Sequence, residues 1–471
     1  MGPDRITGDG LNVYVTDNGI RKISFAASSQ LFSLSLNGGM NWATAFAAGP
    51  LTEGYARFQA AAGNLNPNGI AALSYRPNGV LVSGTSIQAP NLIQSGRIYN
   101  EITGAVRTAI AIENPNSSDA TISFYFTDQD GVNFGSGMTT IGPNQQIAAF
   151  LNESPFNGSA AAQTFTFTSS VPIGVVAVRG FINERSDFLM TALPVAPVGA
   201  LSSGPIVLPQ FATGGGWTTQ ILLVNPTDES INGAVGMDGN FTFYSIAPRS
   251  AAKVRSNLAG SLRTGNVTVV PVTTWPGVIP LPVVSSVFTF VSGGVTVTES
   301  GIIAAGAGQS FRIFAELDSS RVMQTGIAIA NADSSTATVQ FELFDLAGQS
   351  TGYSGSTTLA PNGHLAVYLN ELPGFQKLPA SFRGVLHVSS NKPIATVGAR
   401  SFYNERGDFL ISTIPALADT AVTSGDLLFP HLVTGGGSST EFILMSAGSA
   451  SSGTLSFRSQ SGTDLPVLPS P

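Results

Sequence analysis

The chain has 471 residues, 43% of them hydrophobic and only 10% charged, which is length enough for about three or four domains of ordinary size. A formal net charge of −7 with four lysines, Lys22, Lys253, Lys377 and Lys392, excludes the clustered basic surface that nucleic-acid binding needs. The lack of cysteine excludes disulfides and thiolate metal sites, and no run of about 18 apolar residues is available to cross a membrane as a helix.

From the N-terminus, Met1-Gly-Pro-Asp-Arg lacks the basic start and apolar stretch of a signal peptide, so the chain is either a mature form or part of a longer one. Residues 7 to 24 admit two readings. Thr7-Gly8-Asp9-Gly10 before Val13-Tyr-Val weakly matches Thr213-Gly214-Gly215-Gly216 before Ile221-Leu-Leu, which would make it the start of a module. Gly10-Leu-Asn-Val-Tyr-Val-Thr-Asp-Asn-Gly-Ile-Arg-Lys-Ile also resembles one repeat of an NHL-type propeller, a lone blade of which could not bury its faces. The module reading is preferred because it fills the register of the repeat.

That repeat dominates the chain. Thr108-Ala-Ile-Ala-Ile-Glu-Asn-Pro115 returns as Thr325-Gly-Ile-Ala-Ile-Ala-Asn331, and Asn183-Glu184-Arg185-Ser186-Asp187-Phe188 returns as Asn404-Glu405-Arg406-Gly407-Asp408-Phe409. Starts of the same type at Thr108, Thr219, Thr325 and Thr440 are spaced by 111, 106 and 115 residues, one small domain each. Each complete copy carries a second landmark, an apolar residue before a proline, at Ile141-Gly-Pro143, Ile246-Ala-Pro248 and Leu359-Ala-Pro361. Two alternating module types, A and B, follow. Gly79-Val-Leu-Val and Arg97-Ile-Tyr99 match Gly294-Val-Thr-Val and Arg312-Ile-Phe314, which places an earlier B-type module at the N-terminus.

The predicted domains are residues 1–92 (degenerate B), 93–200 (A), 201–307 (B), 308–421 (A) and 422–471 (a partial B). Apolar runs alternate with period two and are rich in β-branched and aromatic residues, as in Thr121-Ile-Ser-Phe-Tyr-Phe and Thr338-Val-Gln-Phe-Glu-Leu-Phe. A sheet apolar on one face must bury it against another, so each module is predicted to be an all-β sandwich. With charge so scarce, Ser, Thr, Asn and Gly must cover the outward faces.

The Asn-Glu-Arg-x-Asp-Phe element is the sharpest candidate site. It gathers Glu184, Arg185 and Asp187 near Arg179 in one copy, and Glu405, Arg406 and Asp408 near Arg400 in the other. Charge-assisted hydrogen bonds that tie the turn are one reading; a ligand or cation site on the acids is the other. The structural reading is preferred, since one catalytic site rarely needs two copies. Asp128-Gln-Asp130-Gly131 has the look of a calcium loop, but Asp345-Leu-Ala-Gly348 lacks the second acid, and a hairpin turn is favoured. Gly214-Gly215-Gly216 and Gly435-Gly436-Gly437 lack the lysine and the helix of a phosphate cradle and read as bends before strands.

The only histidines are His364, His387 and His431, and no Gly-x-Ser-x-Gly elbow precedes a helix, so no enzyme activity is predicted. No cofactor or metal is expected. Trp42 and Trp217 are assigned to cores as readily as to a surface, whereas Trp275, before Pro276-Gly277, is predicted in a loop where an indole can stack on a glycan or a partner.

The module pattern, with Pro172-Ile-Gly-Val-Val-Ala-Val-Arg and Pro393-Ile-Ala-Thr-Val-Gly-Ala-Arg, resembles the tandem Ig-like sandwich modules of large secreted bacterial surface proteins. The resemblance covers nearly the whole chain. It implies an all-β tandem array of Ig-like sandwiches, an extracellular or cell-surface location, and a structural, adhesive or enzyme-appended role. Residues 422–471 hold strand runs around Phe442, Ile443 and Leu444 and around Leu455 and Phe457, but not the rest of a sandwich. Their open edges are expected to pair with something. The favoured expectation is the opposite end of another copy, giving a head-to-tail homopolymer. Surface glycans are the alternative partner, and a non-catalytic portion of a larger secreted enzyme the third reading.

Overall fold

The computed structural model describes residues 5–8, 12–16, 20–24, 26–46, 49–199, 204–256, 260–272, 280–419, 425–446 and 448–470, the first three ranges as backbone. Its regular secondary structure is antiparallel strand almost throughout, and two single 3-10 turns, Pro77–Gly79 and Leu369–Glu371, are the only helical elements among the described residues. The all-β sandwich array read from period-two alternation is the architecture found.

In each A module one long strand serves both sheets. Thr164–Ile182 pairs over its first half with Ala120–Thr127 and Ile93–Tyr99, and over its second with Val106–Glu113 and Phe188–Leu193. Ser381–Tyr403 does the same with Ala337–Asp345, Gly308–Asp318, Met323–Asn331 and Phe409–Pro415. Such a strand buries opposite faces in turn, and the two cores lie around Phe124, Phe126 and Phe165, and around Phe341, Phe375 and Leu386.

The two recurring sequence landmarks turn out to touch. Asn114, Asn225 and Asn331 are buried, and each donates from Nδ2 to the carbonyl four residues on and to carbonyls of the apolar-x-Pro element: Ile141 and Gly142, Ile246 and Ala247, and Leu359 and Ala360. One amide thereby satisfies backbone that the turn leaves unpaired. The recurring threonines have a like role. Thr219, Thr325 and Thr440 each exchange two hydrogen bonds through Oγ1 with the backbone of Ala212, Glu316 and Val433 on the preceding strand.

The complete B module has two four-stranded sheets. One runs Ile206–Thr213, Arg263–Pro271, Ile231–Met237, Asn240–Ile246; the other Ala251–Arg255, Trp217–Val224, Val283–Ser292, Val295–Ile303. The same two sheets recur with their strands drawn from both ends of the chain. One runs Leu427–Thr434, Thr52–Ala60, Ser451–Ser459, Ser29–Leu34; the other Gly39–Ala43, Ser438–Met445, Asn68–Tyr75, Ser83–Gln88. Residues 427–459 supply the first three strands of a B module and residues 29–88 the last five.

This corrects the expectation of an incomplete C-terminal module that needs a partner. Phe442, Ile443, Leu444, Leu455 and Phe457 are buried within their own chain. Phe442 lies opposite Trp42 and Ala71, and Leu455 opposite Gln30 and Phe58. Residues 1–92 are likewise not one degenerate module: Arg5–Gly8, Asn12–Thr16 and Ile20–Ser24 form a separate three-stranded antiparallel sheet. The weak match of Thr7 to Thr213 therefore does not mark a B module.

Candidate functional site

The shared module closes the chain into a ring in the order first A, complete B, second A, split B. One strand of each meets at the centre: Phe188–Leu193, Val295–Ile303, Phe409–Pro415 and Ser83–Gln88. Backbone amides of the A strands donate to hydroxyls of the B strands. Met190 and Ala192 reach Ser83 Oγ and Thr85 Oγ1 at 2.7 and 3.0 Å; Ile411 and Thr413 reach Thr298 Oγ1 and Ser300 Oγ at 3.1 and 2.9 Å. The two halves are related by a pseudo-twofold axis. Hydroxyls alternating along a buried strand were the available signal, but sequence reading did not single them out.

The Asn-Glu-Arg-x-Asp-Phe turns face each other across this axis. Arg406 donates both terminal nitrogens to Asp187, at 2.7 and 3.0 Å, and Arg185 donates both to Asp408, at 3.3 and 2.6 Å. The arginines were expected to tie their own turns; Arg185 does approach Asp187 at 3.3 Å, but the bidentate pairs cross between the A modules. Within each turn the Asn183 and Asn404 side chains accept from backbone amides two and four residues on.

Each turn's glutamate and asparagine grip the adjoining B module. Glu184 accepts from Thr296 N at 2.7 Å and Thr296 Oγ1 at 3.1 Å, while Asn183 donates to Thr296 O. Glu405 accepts from Leu81 N at 2.9 Å and pairs with Arg76, and Asn404 donates to Leu81 O. Burial would push Glu184 and Glu405 up, but these donors hold both below the ordinary glutamate value. For Asp187, Arg406 likewise outweighs burial and holds the carboxyl down.

Arg179 and Arg400 sit deeper. Arg179 pairs with Glu101 of its own module and Glu299 of the complete B module. Arg400 pairs with Glu316 of its own module at 2.6 Å and with Glu441 of the split B module at 3.1 Å. Glu101 and Glu316 are equivalent positions, whereas Glu299 and Glu441 stand on different B strands. Both arginines are held charged against a burial penalty by these carboxylates. Of the eight charged residues, Arg185, Asp187, Arg406 and Asp408 pair with one another across the two A modules, and Arg179, Glu184, Arg400 and Glu405 each reach into an adjoining B module, so together they clasp all four modules.

The second A module assembles a serine, a histidine and an aspartate that are far apart in sequence. His387 Nε2 lies 2.9 Å from both Ser310 Oγ and Asp419 Oδ2, Ser310 Oγ donates to the same Asp419 oxygen, and Arg312 Nε reaches Asp419 Oδ1 at 2.5 Å. Burial raises the Asp419 carboxyl, but His387, Ser310 and Arg312 together bring it down to about 2. A nucleophilic relay needs the acid on one ring nitrogen and the serine on the other. Here both crowd Nε2, and the group works as a knot that fixes the start of Gly308–Asp318 against the chain leaving Leu417–Ala418.

Of the remaining candidates, Asp128 accepts from the amides of Asp130 and Val132, so the loop is a hydrogen-bonded turn. The glycine triplets all have positive φ and turn the chain just before Trp217 and Ser438. Trp42 stacks on Phe457 at 4.8 Å, and Trp217 on Phe290 at 4.8 Å. Trp275 lies outside the described residues.

No protein-family model and no curated protein matches the chain. Among solved structures, the chain is similar to Thermotoga maritima 1070 at 14% identity and TM-score 0.19, over 23% of this chain and 92% of that one. It is similar to the Anabaena sensory rhodopsin transducer at 20% identity and TM-score 0.16, over 19% and 92%. A 1.5-MDa bacterial ice-binding adhesin aligns at 12% identity and TM-score 0.11, over 67% and 90%.

Proposed function

We propose that this chain is a non-catalytic surface scaffold, a rigid ring of four β-sandwiches that presents its outer loops and module junctions to extracellular partners, in the manner of an adhesin. The observation that carries the reading is the central clasp. Its recurring acids and arginines are occupied in holding module to module, which is the use of charge expected in a scaffold and leaves the exposed rim to bind. The polar, lysine-poor composition of the outward faces suits an exposed location.

Because the C-terminal strands are completed by residues 29–88, head-to-tail polymerisation through an open half-module is not part of this reading. Light scattering of the purified chain should give a single 48.5-kDa particle at high concentration, and antibody labelling of intact producing cells should find it on the surface. A mass of two or more chains would overturn self-closure. Labelling only after lysis would overturn the surface role.

A further inference from the structure

The pseudo-twofold axis relates two A–B junctions, and one of them lacks a ring that the other has. Strand register fixes the equivalence: Trp217 lies opposite Phe290 and Ser438 opposite Tyr75, and each closes a bridge to the first glycine of its triplet. Phe409 and Phe188 are matched by their places opposite Tyr403 and Ile182. At the junction of the complete B and second A modules, the indole of Trp217 stacks on Phe290 (4.8 Å, 25°) and meets Phe409 edge-on (6.2 Å, 78°). Phe290 and Phe409 stand 6.3 Å apart at 88°.

At the junction of the split B and first A modules, Tyr75 and Phe188 keep that arrangement, 6.3 Å apart at 78°. The residue between them is Ser438, and a cleft of about 470 Å3 opens there, walled by Leu73, Tyr75, Phe150, Phe188 and Met190. That volume falls in the range of roughly 300–1,000 Å3 usual for small-molecule sites, which are mostly apolar with a few converging polar groups.

The polar groups differ between the two junctions as well. Glu53 and Arg107 line the open cleft, where the register places neutral Thr264 and Gln324 at the filled one. Arg107 is engaged with Glu153 at 3.4 Å and lies 4.2 Å over the Phe150 ring. Glu53 accepts a hydrogen bond from Gln460 at 3.0 Å and, among the described residues, has no cationic partner. Two carboxylates against one guanidinium leave the cleft short of one positive charge.

We propose that this cleft binds a small aromatic amine, whose ring takes the place that the Trp217 indole holds at the sister junction and whose ammonium group meets Glu53. The inference rests on the binding-scaffold reading and gives it a ligand class. The test is isothermal calorimetry on the full chain with tryptamine as the probe. Saturable binding of one tryptamine per chain is expected, weakened at least about tenfold by Ser438→Trp, which supplies the missing ring, and by several-fold in Glu53→Gln.

Indole-3-propionate, with the same ring and the opposite charge, should bind at least about tenfold more weakly than tryptamine. Glu53 is only partly buried, so Glu53→Gln, which preserves the side-chain shape, keeps the test valid if Ser438→Trp fails to fold. Absence of saturable binding at millimolar tryptamine, binding that neither variant alters, or equal binding of both probes would overturn the proposal. Such a failure is separable from failure of the scaffold reading, which is judged by particle mass and surface labelling.

Discussion

Replacing Arg400 with methionine tests whether the clasp holds the ring together. The substitution keeps most of the side-chain volume and removes only the guanidinium. It leaves Glu316, 2% exposed, and Glu441, 16% exposed at its side chain, facing each other with weaker help. Asn41 still donates to Glu441 at 2.8 Å, and the half-exposed Arg383 still reaches Glu316 at 2.9 Å. Breaking a buried pair from one side costs about 3–5 kcal/mol, mostly for the stranded charge. For a cooperative unit of about 150–250 residues each kcal/mol moves the melting temperature by about 2–4 °C, so a loss of roughly 6–20 °C is expected at pH 7.

The pH dependence has a definite sign. Burial pushes Glu441 up, but Arg400 and Asn41 bring it below its ordinary value of 4.5. Its ionisation therefore contributes stability above that pH, and the contribution is lost as pH falls through the depressed folded value. In Arg400→Met, Glu441 has lost its guanidinium and takes up a proton at higher pH than in the wild type, which relieves the stranded charge. The gap between wild type and variant should be widest near neutrality and narrow toward pH 4. Scanning calorimetry across that range decides it: a shift below about 2 °C at pH 7, or a gap that does not change with pH, would refute the reasoning.

Three further outcomes are expected. Ser33 and Ser452 are directly opposed on strands from the two chain ends, so Ser33→Cys with Ser452→Cys in this cysteine-free chain should form an intramolecular disulfide, seen as faster non-reducing gel mobility; covalent dimers instead would contradict self-closure. A double-mutant cycle on Arg406→Ala and Asp187→Ala, read by urea denaturation, should give a coupling of about 0.5–2 kcal/mol, with none between Arg406 and the equally charged but distant Asp333. His431, whose Nδ1 is shielded and unpartnered, is pushed down to about 4 by burial. The unfolded chain then takes up that proton first, so stability is full above about pH 6.5 and falls toward pH 4; His431→Gln, which copies Gln210 of the complete B module, should flatten the melting-temperature profile in that window.

The repeat and its strand alternation made the sandwiches legible, because burying one face of each strand is a local demand that leaves its period in the sequence. The buried Thr and Asn landmarks were legible for the same reason. What escaped was relation between distant segments. Gly79-Val-Leu-Val matched the end of a B module and Thr440-Glu-Phe-Ile-Leu-Met matched the beginning of one, and the two fragments together make a single module; a reading along the chain treats them as two damaged ones. The Asn-Glu-Arg-x-Asp-Phe turns were visible as a repeated cluster, but nothing local says that Arg185 and Arg406 each find their carboxylate in the other copy. The gathering of Ser310, His387 and Asp419 left no sequence signal at all, since each comes from a different strand or connection.

The split module also imposes an order of events during synthesis. Strands of residues 29–88 leave the ribosome first, yet their partners end at Ser459, 459 − 88 = 371 residues later. At about 5–20 residues per second, the nascent chain carries those strands for roughly 20–75 seconds before they can be completed. The first A, complete B and second A modules are finished in the meantime. Phe58, Ile70 and Leu73, buried in the finished ring, spend that interval without the strands that cover them. Correct maturation thus depends on keeping an apolar half-sandwich soluble until residues 427–459 have been made, an interval in which its unpaired strand edges are open to association with other chains.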